Sequence, residues 1–149
     1  MRVEIIEKKL FQNFIKNEFN KNIKNVDSFC IDSRKIHKDD VFLPLKGNRV
    51  DSHVFIDTVI EKGAALIFSE NKIDFKNIVH VNSTKELLKK ISKKWFKKLN
   101  SSVIAITGSN GKTTTKQMIA KIFQNSFRIN YAEKNYNSSI GLPICLFNF

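Results

Sequence analysis

The sequence of 149 residues contains little cysteine and no long apolar run. Its two cysteines, Cys30 and Cys145, do not have the spacing of metal ligands, and two are too few for a disulfide framework. No apolar run approaches the roughly 18 residues that a membrane-spanning helix requires. The first nine residues alternate charged and apolar side chains, unlike the apolar segment of a signal peptide. These absences predict a reduced cytoplasmic protein without membrane insertion.

Acidic residues and arginine are also scarce. The chain has 14 acidic residues against 26 basic ones, a net charge of +12, and only four of the basic residues are arginine. Such an excess raises the hypothesis of a nucleic-acid partner. In the densest basic segment, residues 85–98, however, Leu88, Ile91 and Trp95 recur at helical spacing with lysines mainly between them. This pattern favours a solvated helix face, so we expect no nucleic-acid partner, although a basic nucleic-acid-binding protein remains the competing class.

Apolar residues are plentiful enough for a folded core, at 42% of the chain with 13 phenylalanines. Helical periodicity predicts helices over residues 1–25 and 52–62, the second ended by Gly63, and a lysine-rich helix over 85–98. Short apolar runs predict strands at 26–31, 41–45, 65–68 and 78–81. This alternation predicts an α/β fold. The polar residues 100–102 predict a hinge, which divides the chain into domains at 1–99 and 100–149.

The most informative segment is residues 103–115, where an apolar run meets a glycine-bounded turn and a helical pattern follows. Strand, flexible loop and helix N-terminus are the parts of a phosphate-binding loop. Lys112 would reach the β- and γ-phosphates, and the Thr113 hydroxyl would contact Mg²⁺. The predicted nucleotide contacts are Gly108, Ser109, Asn110, Gly111, Lys112, Thr113 and Thr114. The apolar run at 103–107 is predicted as the strand before the loop, and a second strand is predicted at 128–132. An ordinary tight turn is the alternative for the loop, since Ile106 occupies the place of a usual glycine.

Three segments carry a family resemblance. Residues 107–116, Thr-Gly-Ser-Asn-Gly-Lys-Thr-Thr-Thr-Lys, resemble the ATP loop of the Mur ligases, and within that family the loops of the ligases that add D-alanyl-D-alanine. The segments 31–34, 40–47, 51–53 and 61–65 are similar to the family's UDP-binding N-terminal domain. Residues 135–143 resemble its asparagine-rich turn, although Ser138 and Ser139 depart from the usual residues. The resemblance implies a small UDP-binding α/β domain followed by the beginning of a P-loop ATPase parallel-sheet domain.

The resemblance also implies an activity, the ATP- and Mg²⁺-dependent joining of D-alanyl-D-alanine to a UDP-N-acetylmuramoyl-tripeptide through an acyl phosphate in cell-wall precursor synthesis. Lys112 is the implied catalytic residue. The implied substrate-binding residues are Ser33, Arg34, Lys46, Asn135 and Asn137. All of these except Ser33 have a structural alternative: an Arg34 pair with Asp32 or Asp40, an ordinary turn at Lys46, and turn formation by the asparagines. His53, at a helix start, is more often structural than a ligand contact. A Mur ligase that adds another amino acid is the alternative within the family.

The resemblance covers essentially all of the chain, but the chain covers only the first domain of the family and the start of the second. We therefore expect the sequence to be an N-terminal fragment that is inactive by itself and monomeric when complete. The apolar face of the loop helix, which includes Met118 and Ile122, is expected to be uncovered in such a fragment.

Overall fold

The computed structural model describes residues 1–47, 50–132 and 138–148. Its sheet contains β1 (Arg2–Glu4), β2 (Ser28–Cys30), β3 (Val41–Phe42), β4 (Leu66–Ser69) and β5 (Ile78–His80), side by side in chain order. β1 is antiparallel to β2, and the other neighbours are parallel. The helices are α1 (Lys8–Phe19), α2 (Ile56–Glu61), α3 (Thr84–Leu99), α4 (Lys112–Phe123) and α5 (Gly141–Cys145). Short 3₁₀ helices lie at Ser33–Lys35, Ser52–Phe55 and Leu146–Asn148.

Helices cover both faces of the sheet. Successive strand residues point to opposite faces, so Phe29 packs with α1 and α3 while Cys30 packs with α2. In β3, Val41 likewise packs on the α1 and α3 side of the sheet, and Phe42 packs on the α2 side. Parallel strands covered on both sides read as continuous apolar runs rather than alternating ones. The mixed α/β class predicted from the sequence is therefore confirmed.

The larger part of the core is aromatic and lies between the sheet and helices α1 and α3. The fully buried Trp95 meets the edge of Phe11, with ring centroids 5.1 Å apart. Phe147, near the end of the described chain, stacks on Phe29 at 4.1 Å. Residues on both sides of position 100 therefore contribute to one core. The domain boundary at 99/100 stays a prediction, and α3 does end there, at Asn100 in the left-handed conformation (φ 48°).

Two helix predictions in the first part of the chain were wrong in their extent. Residues 1–25 are not one helix, because Arg2–Glu4 pairs with Ser28–Cys30 as an edge strand. The alternation of charged and apolar side chains at the start of the chain has the period of a strand, and only a partner distant in sequence makes use of it. The helix predicted over 52–62 begins as a 3₁₀ helix at Ser52, where the Asp51 side chain accepts from the His53 amide.

The predicted strands at 103–107 and 128–132 were also wrong, since no strand forms in either segment. A strand requires a neighbour for its backbone N–H and C=O groups, and none of the five described strands pairs with these segments. Val103 and Ile104 are consequently more than half exposed, at 62% and 61%. As expected, the apolar face of α4 is uncovered too, with Met118 and Ile122 exposed. In the described residues no helix is both long and apolar enough to cross a bilayer.

Candidate functional site

The first candidate site is the loop at residues 107–112, which leads into α4. Gly111 precedes the helix with φ +77°, a left-handed conformation that strains other residues, and Gly108 has φ +149°. No side chain caps the N-terminus of α4. The first amide groups of a helix have no partner within it and carry the positive end of the helix dipole. The twelve-residue helix α4 thus presents uncapped amides directly behind a glycine turn, an arrangement that suits an anionic oxygen.

The ammonium group of Lys112 lies beside the glycine turn before α4. Its Nζ donates to the carbonyl of Gly108 and, at 3.2 Å, to that of Ser109. The ammonium therefore lies over its own loop, and residues 107–115 are all exposed to solvent. A phosphate bound at the helix start would offer this ammonium a stronger, charged acceptor in exchange for the two carbonyls.

The loop also fits a magnesium ion bound together with a nucleotide. Among the described residues, no three or more His, Cys, Asp or Glu side chains form a cluster that could hold a metal. Thr113 lies in the first turn of α4 and is exposed, so its hydroxyl is available as a single oxygen ligand. Mg²⁺ commonly retains waters and takes further oxygens from substrate phosphates, so one hydroxyl is a sufficient protein contribution from this loop.

The second candidate site is the turn after β2, which carries Ser33 and Arg34. Ser33 is buried and begins the 3₁₀ helix, whose preceding residue Asp32 accepts from the Arg34 amide. The Arg34 guanidinium donates back to both Asp32 oxygens, at 2.9 and 3.0 Å. The structure thus forms the Asp32 pair that was the structural alternative for Arg34. The Arg34 side chain is nevertheless 86% exposed, so it can exchange this carboxylate for a phosphate of similar geometry.

The guanidinium of Arg34 lowers the pKa of Asp32 to about 2, through hydrogen bonds to the ionised carboxylate. We expect Arg34→Ala to raise this pKa toward the ordinary range of an aspartate, as measured by carboxyl NMR titration. Because the folded pKa is below the unfolded one, the pair stabilises the fold above the unfolded pKa. That contribution is lost as the pH falls toward 2. Lys35→Ala, in the same turn, should leave the Asp32 midpoint near 2, and equal midpoints in both variants would contradict this assignment.

Lys46 follows β3 and is exposed, in a turn that the chain closes on itself. An isolated antiparallel β-bridge of the backbone joins Lys46 to Asp51, and the Gly47 amide donates to the Val50 carbonyl at 3.0 Å. The Gly47 amide is therefore engaged within the turn, as in the ordinary turn that was the structural alternative at Lys46. β2 and β3 are parallel neighbours, so Lys46 and Ser33 follow strand ends on the same edge of the sheet. At that edge, the group of this turn that is open to a ligand is therefore the exposed Lys46 side chain and not the Gly47 amide.

His53 is held by the protein itself. Its side chain is 4% exposed, and Nδ1 lies 2.6 Å from Asp51 Oδ1. The Asp51 carboxylate also accepts a hydrogen bond from the His53 amide, and this bond is the largest cause of the lowered pKa of Asp51. Within the described residues the buried Nε2 has no hydrogen-bond partner. The histidine anchors the start of the 3₁₀ helix, as its position before a helix suggested.

Sequence reasoning missed Lys62, whose Nζ donates to the Ser33 carbonyl at 3.1 Å. Lys62 lies at the end of α2 and adds a cation to the Ser33 turn. The two residues are far apart in the chain, so no local sequence pattern indicates this contact. Asn135 and Asn137, two of the predicted substrate contacts, lie outside the described residues. Ser138, beside them, accepts from the Gly141 amide at 2.9 Å, so its hydroxyl is used to begin α5.

Comparisons with known proteins show the family of this chain. A model described as the Mur ligase family, catalytic domain, matches residues 25–102, and one described as the Mur ligase middle domain matches residues 106–149. The chain belongs to the Mur ligase family. The first match includes the Ser33 turn, and the second includes the glycine loop and α4.

Several curated relatives of this Mur ligase chain carry one name. UDP-N-acetylmuramoyl-tripeptide--D-alanyl-D-alanine ligase of Bacillus subtilis is 35% identical over 123 residues, covering 80% of this chain and 27% of the relative. Its namesake from Buchnera aphidicola is 37% identical over 128 residues, covering 83% of this chain and 28% of the relative. A 2,6-diaminopimelate-adding ligase of Alkaliphilus metalliredigens is 34% identical over 109 residues, covering 70% and 22%. The chain thus spans less than a third of the length of these relatives.

Solved structures of Mur ligases show the same fold. A D-alanyl-D-alanyl ligase structure from Acinetobacter baumannii is similar with a TM-score of 0.75 and 32% identity, covering 81% of this chain and 28% of that one. MurF ligase from Thermotoga maritima in complex with ADP is similar with a TM-score of 0.72 and 33% identity, covering 80% and 28%. This likeness covers most of the chain, so its α/β arrangement is that of the family.

Proposed function

We propose that this chain carries the uridine-nucleotide-binding part and the ATP loop of a ligase that joins D-alanyl-D-alanine to a UDP-N-acetylmuramoyl-tripeptide. The observation that carries the proposal is the uncapped start of α4 behind two glycines of positive φ, with the Lys112 ammonium over the loop. The names of the relatives and the ADP bound to one solved relative support the choice of substrates.

The reaction has two steps. A carboxylate oxygen of the peptide attacks the γ-phosphorus of ATP, the bond to the β,γ-bridging oxygen breaks, and ADP leaves an acyl phosphate behind. The amine of D-alanyl-D-alanine then attacks the acyl carbon, inorganic phosphate leaves, and the nitrogen loses a proton to give the amide. Catalysis of phosphoryl transfer consists mainly of positioning and of stabilising developing negative charge.

The loop residues divide that work. Backbone amides from Gly108 to Thr114 orient the phosphates, and Lys112 neutralises charge that develops between the β- and γ-phosphates. Gly111 permits the close backbone approach, because it has no Cβ and the space that a Cβ would take is open apart from the adjacent residues. When bound, Mg²⁺ would neutralise charge at the phosphate oxygens, and Thr113 is the residue whose hydroxyl would hold the ion.

The substrate side is assigned to the carboxyl edge of β2 and β3. Arg34, exposed and already in a bidentate pair, presents its guanidinium to the diphosphate of the UDP group. Ser33, Lys46 and Lys62 supply a hydroxyl and two further cations near that edge, and Asn135 and Asn137 are assigned to the peptide by the family motif. The described residues of the UDP site thus carry the positive charge that a diphosphate requires.

A related ligase that adds a different amino acid is the second candidate. The observation that favours it is the 34% identity to a 2,6-diaminopimelate-adding ligase, close to the values for the D-alanyl-D-alanine ligases. Comparing phosphate release with D-alanyl-D-alanine and with diaminopimelate, in a chain that carries a complete central domain, separates the two.

Calorimetric titration of the 149-residue chain tests the two binding roles independently. UDP affinity should fall about tenfold or more in Arg34→Ala, because a charge-assisted hydrogen-bonded contact is lost, and should be unchanged in Lys112→Ala. ADP affinity should show the reverse pattern. If UDP does not bind the parent chain, or if both variants weaken both nucleotides equally, the division into a uridine site and an ATP loop is wrong.

A further inference from the structure

One surface has no part in the proposed reaction: the outward side of α3, which we call the basic face. Its lysines are all exposed. The only acidic residue in the helix is Glu86, in the first turn. In the part of the chain that the structure describes, Lys94 alone among these lysines forms an ion pair, with Glu18 of α1. The basic face consists of Lys85, Lys89, Lys90, Lys93, Lys94, Lys97 and Lys98.

The opposite side of α3 fixes the orientation of this face. Leu88, Ile91 and Trp95 are at most 1% exposed and pack in the core against the sheet. The helix therefore cannot turn its apolar side outward without opening the core. Its lysines follow one another at intervals of four residues, a spacing at which like charges repel and destabilise a helix. An anionic surface placed against the basic face would relieve that repulsion.

We propose that the basic face of α3 docks the protein on an anionic phospholipid bilayer, by electrostatic attraction and without insertion. Clusters of four to eight lysines or arginines on an exposed helix are attracted to anionic headgroups, and the attraction grows with each lysine near the surface. The net charge of +12 adds to this attraction at longer range. No apolar side chain of α3 is free to enter the acyl region, so the contact stays at the headgroups.

The side chains of this face favour a bilayer over a nucleic acid. Recognition of nucleic acids favours arginine, whose planar guanidinium matches a phosphate with two hydrogen bonds, whereas the exposed charged positions of α3 carry lysine and one glutamate. Single-stranded nucleic acids are held by exposed aromatic rings, and Trp95 is fully buried. What remains is a broad field of point charges, which matches the diffuse negative charge of a lipid surface.

Docking through α3 leaves the uridine site free. α3 packs on one face of the sheet, and α2 with the Ser33–Lys35 helix packs on the other, as shown by the separate clusters around Trp95 and Ile56. A bilayer against α3 would therefore lie on the far side of the sheet from Arg34. The protein could bind its nucleotide substrate while held at the membrane.

Vesicle co-sedimentation of the 149-residue chain tests the proposal. We expect binding to vesicles that contain phosphatidylglycerol, no binding to pure phosphatidylcholine, and loss of binding at high salt. The double variant Lys89→Glu, Lys93→Glu should bind about a hundredfold more weakly, since it removes two attractions and adds two repulsions. The control variant Lys35→Glu, Lys38→Glu changes the net charge equally but on the α2 side, and should lose less than about fivefold.

Three results would overturn the proposal. The first is absence of binding to phosphatidylglycerol vesicles, and the second is an equal loss in the two double variants, which would show that only net charge matters. The third is tighter binding to a DNA or RNA duplex that competes with the vesicles and is lost in the same variant. Each substituted position lies three or four residues from a remaining lysine, which offsets the repulsion between the two new carboxylates. Should circular dichroism show unfolding, Lys89→Gln with Lys93→Gln replaces that variant.

Discussion

Replacing Lys112 with alanine is expected to lower ATP-dependent phosphate release by a hundredfold to a thousandfold in a chain that carries a complete central domain. The loss corresponds to removal of one preorganised charge from the phosphoryl-transfer transition state. In the present structure this ammonium is held over the loop by the carbonyls of Gly108 and Ser109, beside the proposed phosphate position. Phosphate release with ATP, the UDP-linked tripeptide and D-alanyl-D-alanine is the measurement.

Two matched variants sharpen this prediction. Lys121→Ala removes an exposed lysine from the last turn of the same helix and should leave the rate within about twofold. Thr113→Ala should act through the metal, so raising the Mg²⁺ concentration should partly restore it, whereas Lys112→Ala should not respond. If Thr113→Ala and Lys112→Ala respond alike to Mg²⁺, the division of roles between the two residues is wrong.

Arg2→Ala should lower the free energy of unfolding by about 3–5 kcal/mol, the cost of leaving a buried charge without its partner. Arg2 reaches from the edge strand to Asp40, whose side chain is fully buried, with contacts of 2.8 and 3.0 Å. The same guanidinium contacts Asp27 at 2.6 Å. Without it, Asp40 retains the His37 amide as a donor but loses its charged partner.

Urea unfolding of the purified chain measures this effect, and Lys8→Ala is its control. Lys8 also pairs with Asp27, at 2.7 Å, but both side chains are more than 40% exposed. An exposed pair contributes at most about 1 kcal/mol, so Lys8→Ala should be nearly neutral. Asp40→Asn should cost less than Arg2→Ala, because it removes the charge while retaining an acceptor. Equal losses for Arg2→Ala and Lys8→Ala would show that the burial of Asp40 carries no energetic weight.

The sequence predicted well those elements whose signals are local. α3 has a capping serine, Ser83, and an apolar stripe at helical spacing, and it forms over Thr84–Leu99 close to its predicted extent. The glycine turn and the start of α4 at Lys112 follow from a motif in which spacing itself implies the geometry. The continuous apolar runs at β4 and β5 predicted strands that the structure confirms. The functional roles assigned to Lys112, Ser33 and Arg34 stay predictions.

The sequence by itself determined the family, the α/β class and the glycine turn before α4, because these depend on residue spacing along a few turns of chain. Only the tertiary structure decided which strands form. β1 exists because β2 lies beside it, and residues 103–107 remain unpaired because none of the described strands supplies their hydrogen bonds. It also decided that Lys62 meets Ser33 and that Phe147 stacks on Phe29. Contacts of this kind join residues far apart in the chain, and local periodicity carries no information about them.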